Sequence, residues 1–221
     1  MDVSAITVPT LAEEVYDRVR SGITSGTLAP GSRVSIRALA DQLSVSTMPV
    51  REALKRLQAE GFVVFGRRSV SVVSLTAEEL HQVFAVRLHL EQLATEWALP
   101  RLTPTDVDDL RAVLAEMADD HLETGRWRAL NRRFHQRFYE CAASPYLLDL
   151  IRGVWDRVEP YMAIYASTVE DFSEAHRQHV RMLGLIETGD LPGLLAENDW
   201  HLEHTRRTVA EALSEARRPP T

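Results

Sequence analysis

The chain has very little cysteine and no long apolar run. Cys141 is the only cysteine among 221 residues, which excludes an intrachain disulfide, and its thiol is expected to serve as inert packing. No segment approaches the roughly 18 consecutive apolar residues that a membrane-spanning helix needs. The first residues lack the basic and then apolar order of a secretory signal. We therefore expect a cytoplasmic protein with no membrane partner and with room for two cores.

Acidic residues outnumber basic ones, but the excess lies in one part of the chain. Residues 1–74 carry a net charge of +2 and residues 75–221 carry −9, which gives the whole chain −7. The overall balance would argue against a nucleic-acid partner, yet it is local positive charge that meets phosphate. A basic part this weakly charged predicts weak nonspecific DNA binding and a reliance on dimerisation for affinity.

The most informative segment, residues 45–61, has the pattern of a short amphipathic helix. Ser46 can cap its N-terminus and Gly61 supplies a stop. Apolar residues recur at helical spacing on one side and basic residues form a stripe on another: Val50, Leu54 and Leu57 on the first, Arg51 and Lys55 on the second. This pattern fits a DNA-reading helix, and it also fits an exposed helix whose charged face is merely solvated.

The flanking segments favour the first interpretation, because they complete a winged helix-turn-helix. A helix is expected over residues 11–25 and a shorter one over 36–43, and the break at 44–46 has the length of a helix-turn-helix connection. Beyond the third helix, β-branched and aromatic residues form two runs, 62–65 and 70–73, around a basic tip. The sequence therefore predicts three helices followed by a β-hairpin wing.

Residues 11–74 resemble the winged-helix domain of the GntR family of bacterial transcription regulators. The segments that carry the resemblance are Leu28–Gly31, Leu39–Ala40, Val45–Ser46, Pro49–Leu54 and Leu57–Gly61. The resemblance implies DNA contacts on the second helix, at the start of the third and at the wing tip: Arg37, Ser46, Thr47, Met48, Arg51 and Arg67. Arg51 would make a bidentate contact with guanine. Ser46, Arg37 and the wing arginines suit phosphate or minor-groove contacts.

Two positions depart from the family pattern. Most relatives have Arg-Thr where this chain has Thr47–Met48, so a base-reading guanidinium is replaced by an apolar side chain that suits a thymine methyl. We therefore expect an operator unlike the commonest sites of the family. The wing has Arg68–Ser69 where a glycine is usual, which leaves its reach into the groove open.

From Leu75 onward the sequence predicts helices only. The expected bounds are 76–100, 103–122, 126–143, 145–165, 169–188 and 190–216. On the first of these helices the side chains expected to face the core are Leu80, Val83, Phe84, Leu90, Leu93 and Trp97. The predicted fold is mainly α, with a winged-helix domain over residues 1–74 and an all-helical effector-binding and dimerisation domain over 75–221.

All eight histidines lie in the second part of the chain. Three predicted helices each carry two residues that share a face: Asn131 with His135, His176 with His179, and His201 with His204. Three helices that offer histidine to a bundle interior can form a metal site. Histidines on helices are also common as core or surface groups, so the spacing alone leaves both interpretations open.

Residues 77–210 resemble the all-helical FCD effector domain of FadR-type GntR regulators. The resemblance implies a metal held by Asn131 and His135 and by two histidines placed eleven residues before and after the aspartate of a Gly-Asp turn, His179 and His201. Asparagine replaces the usual aspartate and offers only a neutral carbonyl oxygen. Three neutral histidines still suit Zn²⁺ with a position open for an effector carboxylate. The alternative is a metal-free site whose histidines bind an anionic ligand directly.

Arg87 matches an arginine that the family often points into the same cavity. It could fork onto the carboxylate of an effector, or it could form an ion pair with Glu91, one turn along the helix. His176 and His204 do not match the family motif, so a surface or supporting position is expected for both.

The function predicted from these features is a homodimeric, metabolite-controlled repressor. A small organic acid bound in the helical bundle would favour one arrangement of two winged helices on a palindromic operator. A rival hypothesis is a metal-dependent enzyme of the bundle type with an accessory DNA-binding module, in which three histidines around an open-site zinc activate water. A third is a pure metal sensor.

Overall fold

The computed structural model describes residues 9–67, 69–119, 121–168 and 172–216, without the side chains of the last two. These residues divide into two compact units, the first ending at Leu75 and the second beginning at Thr76. No helix in the described part combines the length and the apolar character that a membrane crossing requires.

The first unit is built on α1 (Leu11–Thr24), α2 (Ile36–Leu43) and α3 (Thr47–Ala59). A capping box begins α1, because the Thr10 side chain accepts from the backbone of Glu13 and the Glu13 carboxylate reaches back to Thr10. The core joins the apolar stripes of α1 and α3: Val15, Tyr16, Val19, Ile23, Val50, Ala53, Leu54 and Leu57. The predicted three-helix arrangement is confirmed, with ends shifted by one residue in α1 and α3.

The described residues of the wing form three antiparallel strands, whereas the sequence predicted two. The strands are β1 (Arg33–Val34), β2 (Val63–Phe65) and β3 (Val70–Val72), in the order β1-β3-β2. β1 joins the predicted hairpin through pairing of Arg33 with Ser71 and of Val34 with Val70. Two residues are too few to establish an alternating pattern, so β1 was not predictable. Arg68 of the predicted basic tip lies outside the described residues.

The second unit is helical throughout its described residues. Its helices are α4 (Ala77–Ala98), α5 (Pro104–Met117), α6 (Thr124–Glu140), α7 (Pro145–Thr168), α8 (Ser173–Thr188) and α9 (Leu191–Ala216), with a short 3-10 helix at Leu99–Arg101. Helix α5 ends five residues before its predicted end. There, Asp119 accepts the backbone N–H of His121 at 2.9 Å, a local bond that competes with the continuing helix. The predicted start of α8, at residues 169–171, lies outside the described residues.

The buried face of α4 differs from the predicted one. Leu80 and Phe84 are buried as predicted, but Trp97 is 40% exposed, so its predicted core position was wrong. Three other predicted core positions are only half-buried: Val83, Leu90 and Leu93. In their place α4 buries three polar side chains: Arg87, Glu91 and Thr95. Apolar periodicity could not find this face, because the interior that α4 meets contains a polar network.

Candidate functional site

The exposed side of α3 carries the side chains predicted to contact DNA. Thr47, Met48 and Arg51 are exposed, and Met48 leaves 62% of its surface in solvent although it is apolar. Ser46 occupies the N-cap position in an extended conformation, but its hydroxyl makes no capping bond. The predicted capping role of this hydroxyl was therefore wrong, and the group is free to contact a partner. The opposite side of α3 is anchored in the core, so these side chains stand on a rigid element.

A groove on the first unit brings together arginines from four different elements. Arg37 from α2, Arg51 from α3 and Arg67 from the wing line it, as does Arg33 from β1. The other lining residues are apolar or uncharged: Val34, Ser35, Ile36, Phe65, Gly66, Ser69 and Val70. None of the described residues that line the groove is acidic, so none of them neutralises its positive charge.

These four arginines have no ion-pair or hydrogen-bond partner among the described residues. Other arginines of the first unit are paired: Arg56 contacts Glu60 at 3.2 Å and Arg18 contacts Glu14 at 3.7 Å. A guanidinium offers five donors and no acceptor, and a cluster of unpaired guanidinium groups is a surface for phosphate and base acceptors. Arg33 was not predicted from the sequence, because its strand was not.

The second unit gathers three of its histidines at one buried point. His135 on α6, His179 on α8 and His201 on α9 are at most 4% exposed, and each offers a ligand atom within 4.8 Å of the others. The Nε2 atoms of His135 and His179 are 3.2 Å apart. The structure thus brings together the three histidines that the sequence selected. His176 and His204 stay outside the cluster, and His204 instead stacks on Trp200.

Hydrogen bonds fix the tautomers of two of these histidines. The Nδ1 atom of His179 lies 2.6 Å from the Ala175 carbonyl oxygen, and that of His201 lies 2.5 Å from Oε1 of Gln178. Because both oxygens can only accept, each Nδ1 carries the hydrogen and each neutral ring turns an Nε2 lone pair to the cluster. Gln178 was not predicted from the sequence. It immediately precedes His179 on α8, and adjacent residues of a helix are expected to point to different faces.

Burial keeps the three rings neutral. It lowers the pKa of His135 and of His201 well below the ordinary value of 6.5, and neighbouring histidines and Arg87 lower both further. Burial also lowers the pKa of His179 to about 4. A metal ligand must be an unprotonated imidazole, so the cluster is in its ligating form at neutral pH.

Asn131 lies one turn before His135 and adds a fourth group of the right kind. Its side chain is buried, and Oδ1 has no hydrogen-bond partner among the described residues. An unpaired buried carbonyl oxygen is costly unless a ligand or an ion satisfies it. Three converging imidazole nitrogens, with an orphaned oxygen one helical turn from His135, fit a divalent cation, and this donor set suits zinc better than magnesium or calcium.

Arg87 on α4 lies beside this cluster and belongs to a buried network. Its Nε donates to Glu91 at 2.5 Å, and Glu91, fully buried, also accepts from Tyr139 at 2.8 Å and from Trp155 at 2.7 Å. The ion pair considered from the sequence is therefore present. It uses Nε only, and the two terminal nitrogens of Arg87 have no acceptor among the described residues. Burial and then the Glu91 charge raise the pKa of Tyr139 well above its usual value, so this hydroxyl remains a donor.

Each of the two units matches a known protein family or domain. Residues 11–73 match the bacterial regulatory proteins of the gntR family, and residues 82–204 match the FCD domain. The chain belongs to the GntR family. This GntR-family protein is a transcriptional regulator with an N-terminal DNA-binding domain and a C-terminal FCD domain, which bears out the resemblance seen in the sequence.

Several relatives of this GntR-family protein are named regulators. The Nta operon transcriptional regulator of Aminobacter aminovorans is 30% identical over 71% of this chain and 74% of its own length. McbR of Escherichia coli is 29% identical over 68% of this chain and 69% of its own. The gluconate operon transcriptional repressor of Bacillus licheniformis is 26% identical over 78% and 74%. These relatives favour a regulator over the metal-dependent enzyme.

Solved structures show that the fold is shared. The structure of E. coli McbR/YncC covers 95% of this chain and 100% of its own, with a TM-score of 0.77 and 23% identity. A regulator from Rhodococcus covers 92% of this chain and 97% of its own, with a TM-score of 0.72 and 19% identity. At these identities the likeness concerns the fold, and ligand and operator must be argued from this chain's own residues.

Proposed function

We propose that this GntR-family protein is a repressor whose DNA binding is controlled by a small organic acid held in its FCD domain. The observation that carries the proposal is the buried cluster of His135, His179 and His201, with the unpaired Oδ1 of Asn131 one helical turn from His135. Such groups are costly inside a helical bundle unless a ligand satisfies them. The same chain carries a surface of unpaired arginines suited to DNA, which supports a site of action in the cytoplasm, where bacterial DNA lies.

On DNA, each exposed side chain has a role that follows from its chemistry. Arg51 reads guanine through two parallel hydrogen bonds, and Thr47 and Met48 contact a thymine methyl. Ser46, Arg37 and Arg67 hold the sugar-phosphate backbone or the minor groove and position the domain.

A homodimer on a palindromic operator completes the interface. One winged helix reads only a few base pairs, and the first domain carries a net charge of only +2 over residues 1–74. A second copy doubles both the base contacts and the phosphate contacts, and a twofold dimer requires a twofold operator. The gluconate operon relative is named a repressor, which supports the same sign of regulation here.

In the FCD domain, Asn131, His135, His179 and His201 would hold Zn²⁺. When bound, the ion supplies positive charge at an open coordination position. The protein itself supplies the remaining recognition. The free Nη atoms of Arg87 present a fork to a carboxylate, and Glu91 holds the guanidinium through Nε so that the fork has one orientation.

A panel of small carboxylic acids tests this proposal. At 10 mM, at least one acid is expected to raise the thermal midpoint of the metal-loaded protein by several degrees, since a ligand at about 100 times its Kd adds roughly 2.7 kcal/mol of stability. Neutral amides of the same acids serve as controls and should have no effect, because they lack the charge that the site requires. Equal shifts with acids and amides, or no shift with any acid, would contradict the ligand class.

The metal-sensor alternative is separated by one comparison. Under our proposal, chelation alone does not change the operator affinity. It removes the response of that affinity to acid added afterwards. A pure sensor would instead change its operator affinity on chelation alone.

A further inference from the structure

Arg33 stands in the arginine-lined groove although no sequence pattern selected it. We propose that Arg33 binds a phosphate of the DNA backbone in this groove and thereby fixes the position of α3 on the operator. The inference rests on the proposed DNA-binding surface and extends it to a residue outside the helix-turn-helix and the hairpin.

The direction of the Arg33 side chain is set by strand alternation. Val34 is 5% exposed and enters the core, so Arg33, the preceding residue, points to the opposite side, where it is exposed. Its backbone is held by the wing: Arg33 pairs with Ser71, the N–H of Val72 donates to Ser32 at 2.9 Å and that of Gly31 donates to Val72 at 3.1 Å. The guanidinium therefore projects from a rigid base.

The first turn of α2 strengthens the attraction for an anion at the same place. Ser35 caps this helix by accepting from the backbone of Ala38 at 3.2 Å, and both Ser35 and Ile36 line the groove beside Arg33. The first N–H groups of a helix have no partner within it and carry the positive end of its dipole. An anion in the groove would meet these groups together with two guanidiniums, Arg33 and Arg37.

The anion that fits is a phosphodiester. Arginines from β1, α2, α3 and the wing line the groove, so it offers several positive charges, and none of its described lining residues is acidic and would repel a strand. The exposed Arg51 on α3 would contact base edges. The groove beside α3 then receives the backbone of the same duplex.

Fluorescence anisotropy with two duplexes at several salt concentrations tests the proposal. One duplex is the operator selected from a random library, and the other has the same composition in scrambled order. Arg33→Ala should weaken binding to both duplexes by a similar factor, roughly tenfold, and lower the slope of log affinity against log salt by about one for each chain bound. Arg33→Lys should recover most of the affinity, because a phosphate accepts an ammonium as a point charge.

Arg157→Ala is the matched control. Arg157 is an exposed arginine of α7 without an ion pair among the described residues, and its loss should change neither the affinity nor the salt slope. Wild-type affinity and slope in Arg33→Ala would overturn the inference, as would a loss confined to the operator. If Arg51→Ala loses the operator while Arg33→Ala binds normally, only this inference fails. If Arg51→Ala also binds normally, the DNA-binding surface itself is wrong.

Discussion

Replacing Arg51 with alanine is expected to remove most specific operator binding without affecting the fold. A bidentate arginine–guanine contact contributes about 1–3 kcal/mol. A dimer would lose two such contacts, so operator affinity should fall on the order of 30-fold to 10⁴-fold. The thermal midpoint should stay within about two degrees, because Arg51 is exposed and has no ion-pair partner among the described residues. Anisotropy and a thermal melt of the same samples measure both effects.

Binding to the scrambled duplex distinguishes the loss of base recognition from the loss of a phosphate contact. Arg51→Ala should bind it nearly as well as the wild type, whereas a phosphate contact such as the one proposed for Arg33 would weaken both duplexes alike. Wild-type affinity of Arg51→Ala for the operator would show that α3 does not read the sequence through this residue.

The second large effect concerns metal content. Untagged wild-type protein should carry about one zinc per chain by elemental analysis, and the double variant His135→Ala, His179→Ala should carry almost none, because a single imidazole cannot hold the ion at micromolar concentrations. Asn131→Asp should bind zinc more tightly than the wild type, since a carboxylate is a stronger donor than a neutral amide.

The chain supplies its own control for this measurement. His176 and His204 lie on the same helices as two of the cluster histidines but outside the cluster. The double variant His176→Ala, His204→Ala should therefore keep the wild-type zinc content. Equal zinc loss in the two double variants would contradict the assignment of His135 and His179 as ligands. No zinc in the wild type would favour the metal-free site in which histidines bind the anion directly.

The sequence predicted what depends on local pattern and missed what depends on assembly. The bounds of α2 and the apolar stripe of α3 follow from periodicity and end signals, and both are confirmed. The histidine spacing, read with the family resemblance, selected three residues that the fold brings together. β1 was missed because it exists only through its pairing with β3, and Arg33 was missed with it.

The buried polar network of α4 is a second feature that local sequence pattern could not predict. Glu91 was considered only as a partner for Arg87 on one helix. In the structure, Tyr139 on α6 and Trp155 on α7 also donate to it, and these contacts depend on how three helices pack. Apolar periodicity therefore assigned Trp97 to the core. The core position is instead taken by the Arg87–Glu91 ion pair, to which α6 and α7 add hydrogen bonds.

The central claim is that a ligand in the FCD domain controls DNA binding, and operator affinity with and without the acid found in the stability screen tests it most directly. In the metal-loaded wild type the acid should change the Kd for the operator by at least about fivefold, the lower end of usual allosteric coupling. In His135→Ala, His179→Ala it should change nothing. An unchanged Kd in the wild type, or the same change in both proteins, would contradict the account.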